Sequence, residues 1–209
     1  MRAYDLIQVL WVEDDPKVID SYPQDAEYYG LELVSFPCWD DAKEALVSDF
    51  DRWSAIILDA KCKYHRDSED NAIVFLREAL DDISTICEKK GRMVPWYVLT
   101  GGDESEVSDS INDKRLKWDK DWTDSQNKKY YSKNIDNEAL YRRIRYHAQK
   151  SPRFQIHAMY MKVFEAIDEC DIDDEGYNAL EDLLVPIHFP DTIEPKDYNH
   201  KFVKAREVL

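Results

Sequence analysis

Val9-Leu10-Trp11-Val12-Glu13-Asp14-Asp15-Pro16 decides the fold: an apolar run of strand length stops on three acids, and a proline follows where the first turn of a helix tolerates one. Two later stretches repeat the pattern. Ala55-Ile56-Ile57-Leu58 ends on Asp59, and Trp96-Tyr97-Val98-Leu99 ends on Thr100. Each puts a polar, reactive type of residue at the point where an apolar run stops. In an α/β sheet whose strands all point one way, such residues converge outside the carboxyl ends of the strands, where ligands bind. The chain is therefore built around one acidic pocket.

Outward from these stretches, strands and helices alternate. Residues 6–12 read as a first strand. Val18, Ile19 and Tyr22 mark a helix that Pro23 interrupts and Gly30 closes. Residues 31–36 alternate as a second strand, 40–47 as a short helix, and 54–58 as a third, fully buried strand. Ile73, Leu76, Leu80 and Ile83 space out a helix, and 94–99 form a fourth strand. Tyr130-Tyr131-Ser132, just before Lys133, supplies a short fifth. Residues 136–148 carry Leu140, Ile144 and Tyr146 on one side of a helix, with Arg142, Arg143 and Arg145 facing outward. This order predicts an α/β domain with a doubly wound, five-stranded parallel sheet. Between Gly101 and Lys129, acids, lysines, Trp118 and Trp122 show no clean period, and one helix with a long surface loop is expected.

From residue 150 the character changes. Phe154, His157, Met161, Phe164 and Ile167 recur at helical spacing, Leu180, Leu183 and Leu184 mark a second helix, and 198–209 a third, with Pro186, Pro190 and Pro195 punctuating the gap. We therefore divide the chain into 1–149 and a helical C-terminal extension, 150–209. The last helical pattern ends without a cap, which implies a longer parent protein or a helix completed by a partner.

Composition narrows the function. At 209 residues, 44% apolar and 12% aromatic, the chain can bury a real core. A net charge of −16 argues against direct nucleic-acid binding, which draws its affinity from Lys and Arg on phosphates. Four scattered cysteines without a CxxC, no signal peptide and no apolar run of about 18 residues point to a reduced, cytoplasmic protein off the membrane.

Glu13, Asp14 and Asp59 at one strand edge would repel one another unless a cation lies among them. The ion suited to one or two carboxylates plus phosphate oxygens is Mg²⁺. With a phosphoryl donor present, a carboxylate attacks phosphorus in line, and Asp59, on the middle strand, is the nucleophile. Thr100 offers a hydroxyl and Lys133 an ammonium to the oxygens of the resulting acyl phosphate.

This constellation closely resembles the receiver domain of two-component response regulators, over roughly residues 6–148. The resemblance implies a flavodoxin-like sheet of order 2-1-3-4-5, and a signalling protein rather than a turnover enzyme. It makes Glu13 and Asp14 the Mg²⁺-holding pair, with Asp15 beside them. Asp59 becomes the phosphoacceptor and a further ligand, as does the backbone carbonyl of Lys61. Thr100 becomes the switch hydroxyl, Lys133 the phosphate-pairing lysine and Tyr130 the aromatic that turns inward on activation. The implied partners are a sensor histidine kinase or phosphotransfer protein and, through the helix over 136–148, a second copy in a homodimer.

Three departures stand out. Asn134 occupies the place after the lysine where receivers usually carry a proline, typically cis. The stretch Lys61-Cys62-Lys63-Tyr64-His65-Arg66-Asp67 is long and charged for its place, and 33 positions separate Thr100 from Lys133. These departures support an alternative: a degenerate receiver serving as a phosphorylation-independent adaptor. A Mg²⁺-dependent phosphohydrolase with an aspartyl nucleophile is disfavoured, because Lys61 stands where such enzymes need a second acid. Cys62 and His65 are two ligands at most, short of a zinc site, and His157, His188 and His200 have no matched acid or cysteine nearby in sequence and read as packed or solvated.

Overall fold

In the computed structural model, residues 6–67, 73–90, 92–101, 130–170 and 174–190 are described. Five parallel strands, β1 (Ile7–Val12), β2 (Leu31–Phe36), β3 (Ala55–Asp59), β4 (Trp96–Thr100) and β5 (Tyr131–Ser132), lie in the order β2-β1-β3-β4-β5. Between them run α1 (Pro16–Tyr28), α2 (Trp39–Ser48), a 3₁₀ turn (Phe50–Arg52) and α3 (Ile73–Lys90), and α4 (Asn137–Gln149) follows β5. This is the doubly wound, flavodoxin-like sheet. Met1–His147 forms one compact unit and Ala148–Leu209 a second.

Period-2 alternation loads both faces of the sheet. Leu10, Val12, Ile56, Leu58, Trp96 and Val98 join Trp39, Leu46, Leu76, Leu80 and Ile83 of α2 and α3 in one apolar cluster. Residues of opposite parity face the other helices: Trp11 of β1 stacks on Tyr22 of α1 with ring centroids 5.9 Å apart. Burial on both sides is why β3 and β4 read as continuous apolar runs.

The helix boundaries follow from local chemistry. Asp15 caps α1, its carboxylate accepting from the Lys17 amide at 2.9 Å, and Pro16 takes the first helical position. At the other end Gly30 adopts φ 76°, a left-handed conformation that stops the helix. Cys38 precedes α2 without a side-chain cap; instead, the carbonyls of Lys63 and Tyr64 accept from the Trp39 and Asp40 amides at 2.9 and 3.0 Å. The loop after β3 therefore performs the capping.

That loop is held from a second side. One oxygen of Asp82, on α3, accepts from Trp39 Nε1 at 2.8 Å, Lys43 Nζ at 2.9 Å and Tyr64 OH at 2.8 Å. His65 and Arg66 pair with Asp40 and Asp41 at 2.6 and 2.7 Å. Cys62 is buried with its thiol on the Pro37 carbonyl, so Cys62 and His65 diverge rather than converge on a metal.

Several readings need correction. Pro23 does not interrupt α1, which runs through it between the buried Tyr22 and Ala26; packing of that face outweighs one lost hydrogen bond. Pro186 likewise lies inside a helix. Arg143, placed outward by the charge pattern, is 1% exposed. It sits one turn from Leu140, on the buried face, and its guanidinium donates to Tyr131 OH at 2.8 Å. Tyr146, placed inward, is 38% exposed.

The second unit holds α5 (Pro152–Met159), α6 (Met161–Glu169) and α7 (Asp174–His188), so the apolar stripe from Phe154 to Ile167 belongs to two helices. His157 does have an acid: it pairs with Glu181, which also takes Arg153 at 2.7 Å and is only 5% exposed, while Phe164 stacks on the imidazole. His188 accepts or donates at Tyr160 OH, 2.6 Å away. No helix among the described residues is long and apolar enough to cross a membrane. The expected helix and loop within 102–129, the helix over 198–209 and His200 lie outside the described residues.

Burial pushes Asp82 upward, but the bonds from Lys43, Trp39 and Tyr64 outweigh it and hold its carboxyl below the usual range. A depressed acid stabilises the fold above its unfolded pKa and loses that contribution as pH falls through the folded value. Asp82→Asn is therefore expected to cost about 1–3 kcal/mol in urea unfolding at pH 7. The gap from the unaltered chain should narrow in acid; a pH-independent gap would contradict the charged hub.

Candidate functional site

Strand register sets the site before any side chain is considered. Val12 pairs with Phe36 and with Leu58, so Glu13 and Asp59 are the next residues on adjacent strands. Asp59 pairs with Leu99, which leaves Thr100 one step further out, and Thr100 pairs with Ser132, which leaves Lys133 next. Four residues distant in sequence thus arrive at one edge of three central strands and β5.

Glu13, Asp14 and Asp59 each bring a carboxylate oxygen to within 4.8 Å of the other two. Glu13 is fully buried and Asp59 is 7% exposed. Lys133 Nζ lies 2.6 Å from Glu13 Oε2 and 3.3 Å from Asp59 Oδ2. Glu13 Oε2 is held by that ion pair without a well-directed hydrogen bond, although it is buried. Its other oxygen accepts from the Asp15 amide at 3.1 Å. The Lys61 amide donates to Asp59.

Burial raises Glu13, and the negative charge of Asp59 raises it further. Burial also raises Asp59, against the opposing pull of Lys133. Burial would lower the Lys133 ammonium, but the charges of Asp59 and Glu13 prevail and raise it. Three carboxylates facing one ammonium leave the pocket net negative, with only hard oxygen donors. That donor set, hard oxygens with an excess of negative charge, is consistent with Mg²⁺.

The remaining sequence-selected residues fall as follows. Thr100 is 2% exposed at the end of β4, and its carbonyl accepts from the Lys133 amide at 2.9 Å. Tyr130, just before β5, packs half-buried against the apolar cluster of α2 and α3. Lys61 follows Asp59 by two residues, its side chain exposed. Asp15 stands apart, engaged as the α1 cap. Sequence reasoning missed Asn134 as a structural element: it adopts φ 66°, its amide donates to Asn137 Oδ1 at 3.2 Å, and its side chain accepts from Tyr22 OH at 3.1 Å. A proline, locked near −65°, could not take that conformation. Asn tolerates it, which was the available signal.

No family model and no curated protein matches the chain. Solved structures similar to it include response-regulator receiver domains. One, a CheY-like receiver domain protein from Methanospirillum hungatei JF-1, is 17% identical, over 69% of this chain and 95% of that one, with a TM-score of 0.47. A receiver domain from Clostridium thermocellum is 16% identical over 69% and 96%, at 0.48. The BeF3-activated N-terminal receiver domain of RstA from Klebsiella pneumoniae is 18% identical over 68% and 99%, at 0.44.

A carboxyl whose folded pKa is raised costs stability at neutral pH, and that cost vanishes as pH falls through the folded value to the unfolded one. Asp59→Asn is therefore expected to stabilise the protein in chelator at pH 7 by about 1 kcal/mol, with the gain gone near pH 4. Thermal denaturation across pH checks this; destabilisation at pH 7 would show that Asp59 is a net structural support.

Proposed function

We propose that this chain is a response-regulator receiver in which Asp59 accepts a phosphoryl group and the charge change switches a protein-interaction face. The observation that carries this reading is the cluster of Glu13, Asp14 and Asp59 within 4.8 Å, with Lys133 reaching two of its members.

Glu13, Asp14, Asp59 and the Lys61 carbonyl would hold Mg²⁺. When bound, it supplies charge neutralisation to the phosphoryl oxygens. A carboxylate oxygen of Asp59 attacks phosphorus, the bond to the donor's leaving group breaks, and an acyl phosphate remains on Asp59. Lys133, already 3.3 Å from Asp59, then pairs with the new phosphoryl oxygens, and the Thr100 hydroxyl donates to another. Movement of Lys133 away from Glu13 and of Thr100 toward the phosphoryl group gives Tyr130 and β5 two arrangements to choose between. The donor in this reading is a phosphohistidine on a sensor kinase or phosphotransfer protein. The helices of 150–209 serve as an output or docking module.

A second reading keeps the pocket and drops the switch: a constitutive adaptor. What favours it is the loop after Asp59, fastened to α2 and α3 by backbone and side-chain bonds, and the turn at Asn134, held on two sides.

Intact-mass spectrometry after incubation with acetyl phosphate and Mg²⁺ separates the two. The receiver reading expects one labile phosphoryl adduct, absent in Asp59→Ala and in chelator. Lys133→Met should reduce adduct formation at least tenfold, the scale of one lost charge-assisted contact of about 1.5–3 kcal/mol. A folded, Mg²⁺-binding protein that takes no adduct and shows no response to beryllofluoride would establish the adaptor instead.

A further inference from the structure

Lys133 is asked for more precision than its strand can give. β5 contributes only Tyr131 and Ser132, and the bond from the lysine's own amide to the Thr100 carbonyl, 2.9 Å, ties its backbone on one side alone. The side chain is a flexible four-carbon stem, yet its ammonium lies 2.6 Å from Glu13 and 3.3 Å from Asp59. The direction in which the chain leaves the lysine therefore bears on where the ammonium can rest.

Asn134 sets that direction. Its φ of 66° is one that residues with a Cβ seldom adopt and that Asn tolerates. From α4 the turn is braced by Asn137, whose Oδ1 accepts from the Asn134 amide at 3.2 Å. From α1 it is braced by Tyr22, whose hydroxyl donates to Asn134 Oδ1 at 3.1 Å. Tyr22 is 4% exposed, and its ring stacks on Trp11 with centroids 5.9 Å apart and planes 4° from parallel, so the hydroxyl has little freedom to follow a moving turn. Trp11 in turn stands two residues before Glu13. A circuit closes: it leaves β1 at Trp11, crosses Tyr22 to Asn134, and returns through Lys133 to Glu13. A buried tyrosine hydroxyl takes whatever partner is near. What singles this bond out is its acceptor, a left-handed residue adjacent to the lysine.

We propose that Tyr22, acting through Asn134, is a positioning residue for Lys133: the hydroxyl bond from α1 fixes the turn that aims the ammonium at Glu13 and Asp59. The consequence for phosphoryl transfer rests on the receiver reading; the consequence for the order of the lysine side chain does not.

The test compares the unaltered chain, Tyr22→Phe, Lys133→Met and the double variant, each incubated with acetyl phosphate and Mg²⁺ and followed by intact mass. Tyr22→Phe keeps the ring that stacks on Trp11 and loses only the bond to Asn134. It is expected to slow adduct formation about fivefold, equivalent to about 1 kcal/mol. In the Lys133→Met background it should slow the reaction no further, because no ammonium is left to place. Asn134→Gly, which permits the left-handed turn and removes the acceptor, should slow it by a similar factor. Tyr28→Phe, on the same helix but 85% exposed, should leave the rate unchanged. Equal slowing by Tyr22→Phe in both backgrounds would overturn the proposal, since Tyr22 would then support the fold as a whole, and so would an unchanged rate. Should the unaltered chain take no adduct, the receiver reading fails, and ¹³C relaxation of the Lys133 ε-methylene, assigned by its loss in Lys133→Met, still tests the positioning role. An ε-methylene ordered in the unaltered chain and mobile in Tyr22→Phe supports it; equal order in the two overturns it.

Discussion

One lysine holds the acidic edge together. Two buried carboxylates whose oxygens approach within 4.8 Å, Glu13 and Asp59, repel by roughly 3 kcal/mol at an effective dielectric of about 20. Lys133, at 2.6 and 3.3 Å from the two, offsets that repulsion. It does not neutralise the third carboxylate, Asp14, so the pocket stays net negative. A fully neutralised cluster would be a structural ion pair, and an uncompensated one would resist folding. Partial compensation leaves an excess of negative charge at the strand edge, which is what the proposed receiver reading asks a divalent cation to complement.

Because so much rests on Lys133, its delivery is over-determined. β5 is only two residues long, too short for ladder bonds to fix its end. Local bonds supply the difference: Ser132 donates to Asp136 Oδ2 at 2.9 Å, the Asp136 amide returns to the Ser132 carbonyl at 2.9 Å, and Asn134 is anchored to both Asn137 and Tyr22. Asn134 in the left-handed region turns the chain immediately after the lysine. The reach of Lys133 therefore does not depend on a proline at that place; α1 and α4 hold the turn from outside.

What was legible in the sequence was what burial writes directly. A strand covered on both faces must be apolar along its length, so β1, β3 and β4 showed themselves, and a polar residue at the end of such a run stands out. Glu13, Asp59 and Thr100 stood out for that reason, whereas Lys133 follows a two-residue strand and was placed by its order after the others. What escaped was set by partners distant in the chain. Arg143 looks solvated until Tyr131 is brought above it, and His157 looks unpaired until Glu181 arrives from 24 residues away. Pro23 and Pro186 read as breaks because the cost of a lost amide is local, whereas the packing that outweighs it is tertiary. Among three adjacent acids, local pattern alone did not separate the capping residue, Asp15, from the two that enter the site.

The loop after Asp59 shows the same division at the level of function. In the sequence it stands out only as long and charged for its place. In the fold its backbone completes the N-terminus of α2, and Tyr64 shares Asp82 with Trp39 and Lys43. Opening it would expose two helix amides and remove one of three donors from a carboxylate, costs of about 1 kcal/mol each. The loop is therefore coupled to α2 and α3 rather than to solvent. Ala60 and Cys62, next along from Asp59, are buried in the apolar cluster that α2 and α3 also build. The described loop residues therefore tie the acidic edge to the core shared by those two helices.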